Sequence, residues 1–361
     1  MAASIVPTVS SLTLPALSVL RVRITYRLLE ATTLPLAKGA LLRGGFGYAF
    51  QRATSACPPS CWGYADRCHA NLICPYRQYF EPERVPGDGP LHDLQNMPRA
   101  FVIEPPLDAR RAYAAGDTLE FGLVLIGRAI EVLPNFLYGF AELGRTGLGR
   151  DLTKAHLERA AVLRPFQQIG VTVYADDDAR VPVDPPTHNL AELPTLAARL
   201  PADLRMTLHT PLRVKAGGAF IEHFDLRAIV EAACWRLAAL YRFYGERPWT
   251  DDYRPIVAAV NQVRIEKSAV RWVDWERTST RGETQRSMKL GGIIRWSRFC
   301  RNGSCGTISG ANMAQMATTA TISVPRPAES LRRGGRPIRP SSAAGRAPRS
   351  AGRQPASGRY R

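Results

Sequence analysis

The chain has 361 residues, 45% of them apolar, a formal charge of +17 and seven cysteines. That length suggests two domains, each with enough apolar residues for a core. The most apolar stretch, 122–141, is broken by Arg128, Glu131, Pro134 and Asn135, so no membrane-spanning helix is expected. The charge is uneven: residues 295–361 hold 13 arginines against one acid, Glu329, which gives +12 and leaves +5 for the rest. A nucleic-acid partner argued from total charge alone would rest mostly on that tail. No basic residue precedes Arg21, which makes the start a poor signal peptide. A cytoplasmic address is therefore expected, where cysteines more often bind metals or do chemistry than form disulfides.

The first element is a strand. Leu20, Val22, Ile24, Tyr26 and Leu28 alternate with Arg21, Arg23, Thr25 and Arg27, the period of a sheet with one buried face. The arginine face reads either as a solvated surface or as a row of guanidinium donors for phosphate. A helix is predicted over Gly39–Ala53, because Leu42, Phe46, Ala49, Phe50 and Ala53 share one face. Gly44 and Gly47 weaken that helix, so close backbone approach is expected to favour small residues there. Pro82–Pro106 reads as a connection, Leu119–Ile126 as a buried strand, Val132–Leu143 as a helix and Gly144–Arg150 as a glycine-rich loop. That loop is either a plain turn or an anion cradle carrying Arg145 and Arg150. Pro182–Pro201 is the expected linker. The pattern then restarts, with Leu204, Met206 and Leu208 alternating in a strand. A helix follows, with Leu226, Ile229, Val230, Ala233, Leu237, Leu240, Tyr241 and Tyr244 on its core face.

Four cysteines lie close together in the order Cys57-x3-Cys61-x6-Cys68-x5-Cys74. Four thiolates in so short a span can converge on one tetrahedral ion, so a structural zinc is expected, with an iron–sulfur cluster as the alternative. Further on, Trp272-x-Asp-Trp275-x-Arg277-x-Ser279-x-Arg281 places Trp275, Arg277, Ser279 and Arg281 on one face of an extended chain. An aromatic flanked by arginines suits single-stranded RNA, whereas an edge strand with a buried Trp explains the same pattern structurally. The six histidines fall in no nucleophile–base motif, and no Walker loop, G-x-S-x-G or H-E-x-x-H occurs.

The order of these motifs is more specific than any one of them. It runs Lys38-Gly-x3-Arg43-Gly, the cysteine loop ending Cys74-Pro-Tyr76, Phe80-Glu-Pro82 and Phe101-Val-Ile-Glu-Pro-Pro106. It continues with Gly144-Arg-Thr-Gly-Leu-Gly149, Thr210-Pro-Leu-Arg213-x-Lys215, the Trp272 segment and Met288-x-Leu-Gly-Gly292. Over residues 15–294 this resembles the CRISPR-associated endoribonuclease of the RAMP superfamily that processes precursor CRISPR RNA.

The resemblance implies an α+β fold of two ferredoxin-like domains. The first is expected at 15–180, with the zinc loop at 57–74, and the second, incomplete, at 202–294. It implies metal-independent cleavage of repeat RNA by 2′-OH attack, leaving a 2′,3′-cyclic phosphate. Such cleavage needs a base, an acid and stabilisation of the phosphorane charge. The histidine that many members carry near the first helix is absent. Lys38, Arg43 and Tyr48, with Arg52 nearby, are the groups left to do this work. Arg21, Arg23, Arg27, Arg145, Arg150, Arg277 and Arg281 are the RNA-binding candidates. A non-catalytic RNA-binding subunit of a CRISPR effector complex is the alternative, with other effector subunits as partners.

The family expects a glycine-rich loop and a closing strand after Ile294. Here an Arg/Gly/Ser/Pro segment runs from Arg295 to Arg361 instead. Read from the third base of each codon, Asn312–Ala317 encodes [Tyr/His]-Gly-x-[Asn/Asp]-Gly. A reading-frame shift near Ile294 is therefore expected, or else a disordered arginine tail. With the frame shifted, the second sheet should lack a strand and keep an open edge.

Overall fold

A computed structural model describes residues 13–55, 58–59, 74–82, 97–164, 170–176, 184–197, 200, 203–279, 286–301 and 320–323. At 203, 275–279, 286–290, 296–301 and 320–323 the backbone alone is described. The fold mixes helix and sheet. Met1–Pro325 form one unit and Arg326–Arg361 a second, which lies outside the described residues.

The alternation at the start does make a strand, β1 (Ser18–Leu28). Its apolar side chains, Leu20 to Leu28, are fully buried. Helix α1 (Lys38–Thr54) follows, then β2 (Phe101–Glu104), β3 (Thr118–Ile126), α2 (Leu133–Thr146), β4 (Ala155–Leu163) and β5 (Gly170–Ala175). The sheet order is β2-β3-β1-β4-β5, and every neighbouring pair is antiparallel. Both helices pack on the Leu20–Leu28 face. Phe46 stacks on Phe50, Phe136 and Phe140 with ring centroids 5.1, 5.7 and 4.3 Å apart. Gly139 lets the helices cross closely: a Cβ there would lie 2.9 Å from Phe50 Cδ2. The buried Tyr26 hydroxyl donates to the Phe140 carbonyl and so ties sheet to helix.

Three sequence expectations are revised in this half. The stretch 82–106 is more than a connection, since Phe101–Glu104 pairs with β3; the Pro105-Pro106 pair that marks its end masked a strand of only four residues. The helix α2 runs on through Gly144 and Arg145 to Thr146, so the glycine turn proper begins at Gly147. Gly144 sits inside the helix because a Cβ would collide with the Ala155 carbonyl. The linker 182–201 is not free chain either. His188–Asn189 pairs with Val19 and Ser18 of β1, and a short helix spans Leu193–Ala197.

The second half repeats the opening. Strand β6 (Asp203–Leu212) leads to α3 (Leu226–Tyr244), whose predicted core face is buried throughout. Asp225 caps the helix through its carboxylate, which accepts from the Ala228 N–H at 2.9 Å. Strands β7 (Val263–Ser268), β8 (Arg271–Ser279) and β9 (Arg286–Arg301) follow, with β10 (Ala320–Ser323) last. The order is β7-β9-β6-β10, with β8 also on β9. Gly291 accommodates the Trp272 indole, because any Cβ there would collide with it.

Two features depart from the expected end of the domain. Strand β9 continues past Ile294 to Arg301, held between β6 and β7 by backbone pairing that is indifferent to side-chain composition. An open sheet edge is expected from the sequence, but β6 carries β10 on its side away from β9. Arg295 nevertheless has φ +98°, a strained value for any residue but glycine, where the β9–β6 register shifts beside Pro211.

The halves are joined by buried tyrosines. Tyr241 Oη donates to the Pro15 carbonyl at 2.8 Å, and Tyr244 Oη to the Pro98 carbonyl at 2.7 Å.

Candidate nucleic-acid interface

The outer surface of the helix pair gathers several candidates around a residue that the sequence reading missed. Glu142 lies on α2 with its carboxylate almost wholly buried. Arg145 grips it with two hydrogen bonds, Nε to Oε2 at 2.7 Å and Nη2 to Oε1 at 2.9 Å. Arg52, from the last turn of α1, approaches Oε1 at 3.6 Å. The Arg145 hydrogen bonds, and then the two positive charges, hold the Glu142 carboxyl below its ordinary range. Both guanidinium groups keep much of their surface in solvent.

Two exposed tyrosines flank this cluster. Tyr48 stands one turn before Arg52 on α1, and Tyr138 one turn before Glu142 on α2; each is more than half exposed. Their spacing opposite Phe136 and Phe140 was the available signal for Tyr138 and Glu142. Arg150 lies beyond, in a turn where Gly147 (φ +109°) and Gly149 (φ +70°) take conformations reserved for glycine. Leu148 and Thr153 close that turn with a pair of backbone hydrogen bonds of 2.8 and 3.1 Å. A Cβ on Gly149 would lie 3.1 Å from Leu41 Cδ1, so the turn rests on the start of α1. Exposed cations beside exposed aromatic rings can hold phosphates and stack bases.

The other candidates are placed differently. Lys38 is fully buried, its Nζ 3.3 Å from Asp108 Oδ1 and 3.4 Å from the Asp108 carbonyl. Arg43 lies over Phe80 and Phe101, at 4.3 and 4.8 Å from the ring centroids. Of Lys38, Arg43 and Tyr48, Tyr48 therefore offers its side chain most openly to solvent. Arg21, Arg23 and Arg27 line the sheet face away from the helices. Arg21 pairs with Glu104 at 2.8 Å, while Arg27 pairs with Glu158 at 2.6 Å and donates to the Gly116 carbonyl. This face therefore carries carboxylates among its arginines.

Arg277 lies in β8, paired with Met288, where the backbone alone is described. Arg281 lies outside the described residues, as do Cys57, Cys61 and Cys68. Cys74 is buried, its Sγ 4.0 Å from Ser55 Oγ. Among the described residues no group of three or more His, Cys, Asp or Glu side chains could hold a metal. No helix among them is long and apolar enough to cross a membrane.

A family model described as "AF_1859_N: N-terminal domain" matches residues 15–186. A search of curated proteins finds no match. Among solved structures, the chain is similar to a Cas6 product complex, at 13% identity and a TM-score of 0.44, over 83% of this chain and 91% of that one. It is also similar to Thermus thermophilus Cas6, at 11% identity and a TM-score of 0.42, over 84% and 91%. A partial Cas6-RT-Cas1–Cas2 complex gives 10% identity and a TM-score of 0.48, and the chain spans only 44% of that longer chain. Identities this low give no residue of this chain a role.

Proposed function

We propose that the chain is an endoribonuclease that binds CRISPR repeat RNA and cleaves it by metal-independent 2′-OH attack. The observation that carries this reading is the convergence of Arg52, Arg145 and Tyr48 on one exposed helical surface, beside the turn bearing Arg150. The two-domain part of the proposal, ferredoxin-like in each half, is supported by the strand order. In β2-β3-β1-β4 and again in β7-β9-β6-β10, the first strand of each half lies between its third and its last.

The chemistry follows from the residues at the surface. The arginines would neutralise the charge that builds on phosphorus as the 2′-oxygen attacks and the 5′-oxygen leaves. Tyr48 would relay a proton or stack a base. Purified protein should cut its repeat RNA in EDTA, and an RNA with a single 2′-deoxy substitution at the cut should stay intact. Cleavage of the deoxy substrate would overturn the mechanism.

One observation favours the alternative, a non-catalytic RNA-binding subunit of an effector complex. Lys38 and Arg43 are both engaged inside the protein, which thins the set of groups open to a substrate. Tight repeat binding without cleavage would select it.

Two further parts of the proposal rest on sequence. Cys57, Cys61, Cys68 and Cys74 would hold a structural zinc; four thiolates suit that ion and leave no open position for catalysis. The reading frame would shift near Ile294. The change of composition there supports this. Sequencing the gene and its downstream DNA tests the shift: an alternative frame encoding a glycine-rich loop is the expected result.

A further inference from the structure

A second cationic site lies on the other half of the chain. After β6 the backbone makes a small hairpin, Lys215-Ala216 pairing with Ala219-Phe220. Gly217 and Gly218 form its tip with φ +57° and +86°. This is a two-residue turn in which both residues are left-handed, and it matches the twist of its strands. The tip therefore carries no side chain.

Phe220 lies directly across from Lys215 in the hairpin register. The Arg213 guanidinium sits 4.0 Å from the Phe220 ring centroid, and Lys215 Nζ sits 5.2 Å from it. Arg213 and Lys215 are exposed while Phe220 is half-buried. No acidic residue occurs between Asp203 and Glu222, whereas Arg205, Arg213 and Lys215 fall in that interval. Among the described residues, Arg213 and Lys215 lie against the Phe220 ring and no ion pair joins either of them to a carboxylate. That distinguishes them from the arginines on the β1 sheet face, which have acid partners.

We propose that Arg213 and Phe220 form a stacking platform for an unpaired nucleobase, with Lys215 holding the adjacent phosphate. The Arg213 guanidinium carbon sits over the Phe220 ring, 4.0 Å from its centroid, and Arg213 is exposed; a guanidinium stacked on such a ring would offer its other face to a base. A base laid on it extends a ring–guanidinium–base stack. A bare glycine tip leaves room for the strand to pass. The ligand is single-stranded RNA, because bases inside a duplex cannot reach such a platform. The proposal rests on the RNA-binding reading above and adds a contact in the second half of the chain.

The test uses the full chain, fluorescent single-stranded U10 and A10, a 10-base-pair RNA duplex, and anisotropy at several salt concentrations. Arg213→Lys keeps the charge and removes the plane. It should weaken single-strand binding about fivefold to tenfold, leave the salt dependence unchanged and leave duplex binding unchanged. Phe220→Leu should do the same. Lys215→Ala should weaken every ligand and make the salt dependence shallower by about one ion. The thermal midpoint of each variant shows whether it is folded, and the hairpin is peripheral enough for these substitutions to be tolerated. Wild-type affinity in Arg213→Lys, with the wild type binding RNA, overturns the platform and leaves the RNA reading standing. A wild type that binds none of the three RNAs overturns both.

Discussion

Arg145 and Glu142 form a two-bond fork on the surface of α2, with donor–acceptor distances of 2.7 and 2.9 Å, and the buried carboxylate also faces Arg52 at 3.6 Å. One carboxylate therefore sets the positions of two exposed guanidinium groups from different helices. The Glu142 carboxyl is held below its ordinary range chiefly by the Arg145 hydrogen bonds. A depressed folded pKa means that the stabilisation is complete above the unfolded value, about 4.3, and is lost as pH falls through the folded value. Glu142→Gln should thus be less stable than wild type at pH 7. The gap between the two should close as the solution is acidified below pH 4. Denaturant titrations of both proteins from pH 7 to pH 3 would show it.

Two glycines of α1 should respond to alanine with opposite signs. Gly44 has open space where a Cβ would go, so Gly44→Ala should stabilise by about 0.5–1 kcal/mol through helix propensity. A Cβ on Gly47 would strike the Phe80 ring. That ring cannot easily move, because it stacks against Tyr76 and Phe101 and lies under Arg43. Overpacking of this kind costs roughly 1–3 kcal/mol, which outweighs the propensity gain, so Gly47→Ala should lower the thermal midpoint.

The opening strand, α1 and the core face of α3 were legible in the sequence because each shows a clean period against a single buried surface. Leu42, Phe46, Ala49 and Phe50 are buried as the 3.6-residue spacing requires. Close backbone approach, expected at Gly44 and Gly47, occurs at Gly47 and is absent at Gly44. The short strands were not legible. Phe101–Glu104 and His188–Asn189 carry too few residues to show a period, and their pairing partners lie well away in sequence. The interface was half legible. Tyr48, Arg52 and Arg145 stood out by type, but the carboxylate joining the two arginines did not, because its link to Arg52 is a contact between two helices.

Cys234 is fully buried on α3, and burial pushes its thiol up to about 12. The thiolate is the reactive form, so iodoacetamide at pH 8 should leave Cys234 unmodified in the folded protein and label it once denaturant is added. Peptide mapping by mass spectrometry reads this directly. The sign for stability follows as well. A raised folded pKa gives stabilisation that is full below the unfolded value near 8.5 and lost as pH rises above it.

The most direct measurement is the affinity of the full chain for its repeat RNA, compared among wild type, Arg52→Ala, Arg145→Ala, the double variant and Arg21→Ala. Each helix-surface substitution should weaken binding about tenfold, or 1.4 kcal/mol, and the double variant should weaken it further. The salt dependence should flatten in step. Arg21→Ala, whose side chain is paired with Glu104 on the opposite face of the sheet, should stay near wild type. Wild-type affinity in the double variant, or a loss seen only with Arg21→Ala, would contradict the placement of RNA on the helix pair.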